Sequence, residues 1–186
     1  SMMDGRADWS LRRAVFRLIV LAIFGTALTF AVAPFFAFRA VKAAARDGDG
    51  QALAQLVDYA AVRQGLRPQV AAEPAAAQAP PDLWTDPIGA VKRAIEPVVP
   101  LPPSLEPYLS APGLYDLTRG YRPGQAAAQV GDGGFPKLRY WDPNRVRIAV
   151  PPKGSKATET AALFTFERRA PFTWKLVQIR LPEPAE

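Results

Sequence analysis

The run Asp47-Gly48-Asp49-Gly50 is where residue types and spacing come closest to metal chemistry. Asp47, Asp49 and Asp58 stand at the first, third and twelfth positions of a calcium loop, with Gln51 at the fifth. Such a loop needs glycine at its sixth position for the sharp turn and a bidentate glutamate at its twelfth. Here those positions hold Ala52 and the shorter Asp58. Residues 51 to 62 also carry a helical apolar pattern, which would take Asp58 away from the other two carboxylates. The expectation is therefore a turn between two helices, with no metal and no cofactor.

Other chemistry is sparse. The chain has no histidine and no cysteine. It thus lacks imidazole general acid–base groups, thiol nucleophiles, thiolate metal sites and disulfides. Asp116, Asp132 and Asp142 fall in separate loops at spacings that hold no two together. Ser155-Lys156 lies in the turn-forming run PPKGSK rather than in a dyad. Gly131-Asp132-Gly133-Gly134 lacks the lysine and the strand–helix setting of a phosphate-binding loop. The expectation is a protein that is not an enzyme and has no catalytic residues.

What remains is a surface. Arg139, Arg145, Arg147 and Arg180 alternate with apolar residues in strand-like segments, and Trp141 lies among them. These five are the candidate interaction surface, with Lys175, Tyr140 and Trp174 nearby. Basic groups interleaved with aromatics can bind nucleic acid. An extracytoplasmic location argues against that partner and favours a protein in a membrane complex, an anionic lipid headgroup or a cell-wall polymer. With 23 basic and 17 acidic residues the formal net charge is +6, which suits an anionic surface without specifying one.

The elements that must position this surface begin with an uncharged stretch, residues 18 to 38, LIVLAIFGTALTFAVAPFFAF. Its 21 residues, as a helix, cross a hydrocarbon core of about 30 Å. Ala31-Val32-Ala33 fits a signal-cleavage site, but the apolar run continues through Pro34, Phe35, Phe36 and Phe38, so a retained anchor is favoured. The first 17 residues hold four arginines, against Arg39, Lys42 and Arg46 on the far side. The positive-inside bias gives a cytoplasmic tail (1–17), a transmembrane anchor (18–38) and a periplasmic domain (39–186) at a bacterial inner membrane. Ser1 and Met2, ahead of a second methionine, read as a cloning remnant.

After the anchor, Phe38, Val41, Ala44 and Ala45 share a helix face. Leu53, Leu56, Val57, Ala60 and Ala61 share another. An Ala/Pro-rich insertion at about 71–85 follows, then a helix opened by Asp86-Pro87 and a proline-dense segment. Short helices are expected around Leu105–Leu109 and Leu114–Arg119.

The last third alternates with period two. Val146, Ile148 and Val150 point inward on one strand, Ala162, Phe164 and Phe166 on the next, and Val177, Ile179 and Leu181 on a third. Leu138 to Trp141 supplies a fourth, and Arg168 to Pro171 turns the chain. The fold class is α+β: an N-terminal transmembrane helix, then helices on one face of a three- to four-stranded antiparallel sheet. This is a cone-like, helix-plus-curved-sheet arrangement, resembling nuclear-transport-factor-type folds at the level of architecture only.

Particular residues carry a family resemblance. They are Pro34-Phe35-Phe36, Arg46-Asp47-Gly48-Asp49, Ala52-Leu53, Leu56-Val57-Asp58-Tyr59, Val62-Arg63 and Leu66. Arg145-Val146-Arg147 and Trp174-Lys175-Leu176 add to it near the C-terminus. The pattern resembles the bacterial domain-of-unknown-function 2939 family. That resemblance implies a membrane-anchored or exported domain and brings no activity, substrate or catalytic residue. The expected role is a scaffold or accessory subunit of an envelope complex, or alternatively an exported domain that binds a lipid or small ligand.

Overall fold

The computed structural model describes residues 4–72, 87–88 and 104–184. Most of the Ala/Pro-rich insertion, the helix expected after Asp86 beyond Ile88 and the proline-dense segment up to residue 103 lie outside the described residues.

Helix α1, Asp4–Asp47, is continuous for 44 residues. Up to Thr29 its described side chains are exposed, among them Leu21, Ile23 and Phe24. From Pro34 onward one face is buried, with Phe38, Val41, Ala44 and Ala45 in the core. One helix is thus first an apolar rod and then a core element. Pro34 lies inside it and removes one amide donor without ending it. It is long and apolar enough to cross a membrane or to serve as a signal sequence.

Asp47 and Gly48 close α1, with Gly48 at φ 69°, where a side chain would be strained. Helix α2, Gly50–Leu56, starts at Asp49, whose carboxylate accepts from the Ala52 amide. The single helix expected through residue 62 breaks at Val57, which is extended and forms a parallel bridge to Leu176. Asp58 donates its amide to the Leu176 carbonyl at 2.9 Å and caps helix α3, Tyr59–Ala72, by accepting from the Ala61 amide. The break re-phases the helix. Val62, Leu66 and Val70 are buried, while Ala60 is exposed. Pairing the backbone with the sheet satisfies groups that an uninterrupted helix would have kept to itself.

Helices α4, Glu106–Leu109, and α5, Ala111–Thr118, are separated by Ser110, whose hydroxyl accepts from the Gly113 amide. Gly113 lets the two pack closely, since a Cβ there would stand 1.8 Å from the Pro107 carbonyl oxygen.

The sheet is an antiparallel meander in the order β1-β2-β3-β4: Lys137–Trp141, Arg145–Val150, Ala162–Ala170 and Thr173–Arg180. Val146, Ile148, Val150, Ala162, Phe164 and Phe166 are buried on the inner face as the alternation requires. On β4 the phase changes: Phe166 pairs with Leu176 and Thr165 with Gln178, leaving Val177 as the extra residue of a bulge. Trp174, Leu176 and Ile179 therefore carry the inner face, with Val177 also largely buried. Strand β3 runs on to Ala170, so the turn lies at Pro171-Phe172, later than the arginines suggested.

The second half of α1 crosses the inner face. The Phe38 ring meets Phe164 and Phe166 edge-on, with centroids 5.3 and 6.4 Å apart. Helix α5 packs on α1, while α3 flanks β4. There Gln69 spans two elements, donating to Ile179 O and accepting from the Leu181 amide. The architecture is α+β with an open four-stranded sheet, as expected.

Candidate functional site

The three aspartates of the calcium-like spacing do separate work. Asp47 pairs with Arg46 at 3.2 Å, Asp49 caps α2, and Asp58 caps α3 while pairing with Arg169 at 3.0 Å. The expectation that Asp58 rides mid-helix is corrected: it precedes α3, because its backbone joins the sheet.

The five residues of the candidate surface divide by strand phase. Arg145 and Arg147 stand on the outer sheet face opposite Glu167 and Thr165. Arg145 donates to Glu167 at 2.8 Å, and Arg169 bridges Glu167 (3.8 Å) and Asp58 (3.0 Å), forming a chain of alternating charge. Arg147 lies over the Tyr140 ring, 5.4 Å from its centroid, and has no carboxylate partner among the described residues. Arg139, at the β1 irregularity, donates to Thr158 Oγ1, and Arg180 donates to the Ala161 and Thr158 carbonyls. These two arginines, from opposite edges of the sheet, tether the β2–β3 loop. Trp141 pairs with Val146 and so belongs to the inner face, beside α1.

At the turn after β1, Asp142 accepts from Tyr140 Oη at 2.8 Å and from the Asn144 and Arg145 amides. The phenol bond, then the amides, lower its pKa, and the same bond raises that of Tyr140.

A second surface runs beside α1. Arg39, Lys42 and Arg46, spaced i, i+3 and i+7, form one stripe facing the loop that holds Asp132 and Phe135. With Phe35 they line an open groove of about 580 Å³. Lys42 donates its ammonium to the Asp132 carbonyl. Burial lowers the Lys42 pKa, and the Asp132 charge opposes that shift. Phe135 is 81% exposed at the rim. The loop is set by glycines: a Cβ on Gly134 would fall 1.7 Å from Pro151 O, and one on Gly133 2.4 Å from Arg119 O. Arg119 in turn pairs with half-buried Asp116, reaches Gly131 O and lies 4.2 Å above the Tyr115 ring.

Cations beside exposed aromatic and aliphatic surface suit an amphipathic anion. The stripe was visible in the sequence as charges interleaved with core residues. Phe135 was not, since its role depends on how the glycine loop folds back onto α1.

An apolar N-terminal helix that runs on into the core of an open-sheet α+β domain is compatible with a membrane-anchored or exported protein. The chain belongs to the family described as Protein of unknown function (DUF2939), whose model matches residues 23–117. The match takes in α1 from Ile23 onward, α2 to α4, nearly all of α5 and the Ala/Pro-rich middle, and stops before the sheet. Searches of curated proteins and of solved structures each found no match.

Proposed function

We propose that this is a non-catalytic single-pass membrane protein that presents a rigid domain to a partner in an envelope complex. The observation that carries this reading is the unbroken α1, whose uncharged stretch from Leu18 to Thr29 is exposed and whose end from Pro34 onward is core. Retention of the anchor is supported by the position of Ala31-Val32-Ala33 within that helix and by Pro34 directly after it. The four arginines before residue 18 favour a cytoplasmic N-terminus, with the domain on the periplasmic side of a bacterial inner membrane. The partner surface is the outer sheet face around Arg145 and Arg147. A second reading, lipid or small-ligand binding, is favoured by the groove of Arg39, Lys42 and Arg46 with its exposed Phe135.

The test is purification of the full chain in mild detergent, with mass spectrometry of protein and lipid in one eluate. A stoichiometric protein partner lost on Arg145→Glu with Arg147→Glu supports the first reading. A protein that emerges alone with bound lipid, released by Arg39→Glu with Lys42→Glu, overturns it in favour of the second.

A further inference from the structure

The two hairpin tips at the α1 end of the sheet carry exposed aromatics where turns usually carry polar residues. Phe172, in the β3–β4 turn, is 53% exposed, and Trp141, at the end of β1, is 39% exposed. Both lie against α1 within its uncharged stretch. The Phe172 ring meets Phe30 edge-on at 6.3 Å. With Ile23, Ala27 and Phe30 the two aromatics line an open, largely apolar groove of about 630 Å³. The tips are locked to each other. Arg168, on β3, donates to Pro143 O at 2.9 Å and to Asn144 Oδ1 at 2.7 Å in the neighbouring turn. Its guanidinium carbon also lies 5.6 Å from the Phe30 ring centroid. The tips therefore keep a fixed height along α1.

That height can be compared with a bilayer. Arg17 is the last charge before Phe30, and 13 residues of helix between them rise about 20 Å. Trp9 is 21 residues before Phe30, about 32 Å along the axis. A hydrocarbon core is about 30 Å thick. Setting Arg17 at the near boundary puts Phe30 about 10 Å beneath the far one. Letting Arg17 reach back about one turn, to the level of Arg13, puts Phe30 about 4 Å beneath the far boundary. Placements between these two keep Phe30 within the bilayer, and helix tilt carries it deeper.

We propose that the two hairpin tips are immersed in the membrane, with Trp141 and Phe172 at the far headgroup–acyl boundary and lipid acyl chains filling the groove they form with Ile23, Ala27 and Phe30. This rests on the reading of α1 as a retained anchor. Acyl chains are the occupant because the residues lining the groove are uncharged and continue the lipid-facing flank of α1, with the Arg168 guanidinium beside Phe30 at its headgroup edge. Trp9, stacked under Arg13 at 3.4 Å, and the Trp141–Phe172 pair then form the two aromatic belts of a spanning segment.

The chain has no native cysteine, so single labels are specific. The full chain is placed in vesicles of phosphatidylethanolamine and phosphatidylglycerol. A nitroxide is attached at one of Ile23→Cys, Trp141→Cys, Phe172→Cys or Lys153→Cys, the last on an exposed loop at the other end of the sheet. Collision rates with oxygen and with a water-soluble nickel chelate are then compared. Immersion predicts an oxygen-to-nickel ratio several-fold higher at Ile23, Trp141 and Phe172 than at Lys153. A label that is lipid-immersed at Ile23 but water-exposed at both tips overturns the tip proposal and leaves the anchor standing. A water-exposed label at Ile23 overturns the anchor, and the tip proposal with it. Each tip is labelled separately, and circular dichroism of each variant confirms the fold, so one damaged variant does not decide the outcome.

Discussion

Phe36 and Phe38 are two residues apart on one apolar helix, and the structure gives them opposite fates. Phe38 is 2% exposed and wedged edge-on against Phe164 and Phe166, whereas Phe36 is 63% exposed. Truncating a buried phenylalanine to alanine loses its transfer free energy and leaves a cavity, together about 3–5 kcal/mol. The edge-to-face pairs contribute about 0.5–1.5 kcal/mol each within that figure. Against a domain stability of roughly 5–15 kcal/mol, Phe38→Ala removes a large share. Phe36→Ala changes domain stability by less than about 0.5 kcal/mol. The assay is denaturant unfolding of the full chain in detergent, followed by tryptophan fluorescence, because Trp174 is 2% exposed and moves into water on unfolding. A loss below about 1 kcal/mol for Phe38→Ala, or equal losses for the two variants, would refute the account of α1 as both rod and core element.

Gly134→Ala, which sets a methyl 1.7 Å from Pro151 O, should cost about 1–3 kcal/mol in thermal unfolding. Gly50→Ala, with nothing within 4 Å, should be neutral or stabilising by up to about 1 kcal/mol. Asp116→Ala strands Arg119, whose side chain is 14% exposed, and should cost about 2–4 kcal/mol; Arg119→Met added to it should recover part of that loss. Asp142 has a lowered folded pKa, so its contribution to stability is fully present above the unfolded value near 3.8 and fades as pH falls through the folded value. A carbon-13 titration of the Asp142 carboxyl should shift toward the ordinary range in Tyr140→Phe, and an unmoved midpoint would remove the phenol as the cause.

The strands were legible because one face of each is buried, and period-two alternation follows directly from that burial. Val177 escaped the pattern: a bulge inserts one residue, and nothing local to Val177-Gln178 marks it, since the signal is the register of β3 opposite. The break at Val57 was hidden for a related reason. Leu53, Leu56, Val57 and Ala60 have helical spacing, and only pairing with Leu176, more than a hundred residues later, draws Val57 into extended backbone. The candidate surface was legible as residues but not as a site. Trp141 was grouped with arginines of the opposite face because the irregularity in β1 between Leu138 and Tyr140 shifts its phase. Where α1 leaves its exposed half and enters the core also has no sequence marker. Phe30 and Phe38 are the same side chain within one uncharged run, although Phe30 stays partly exposed and Phe38 is buried.

Helix α1 has no linker between its exposed stretch and its core stretch, and under the proposed anchoring this sets how the domain would meet the proposed partner. A domain on a flexible tether sweeps a volume and meets partners at many heights and attitudes. One continuous with its anchor moves with it, and its remaining freedoms are lateral diffusion, rotation about the membrane normal and tilt of the helix itself. A partner at the matching height therefore meets it in a thin slab, at an effective concentration that a longer tether would dilute. A partner seated a few ångströms higher or lower would miss it altogether. In that reading the length of helix between the first arginines and Phe38 is a ruler, and inserting or deleting one turn would retune which neighbours the domain could touch.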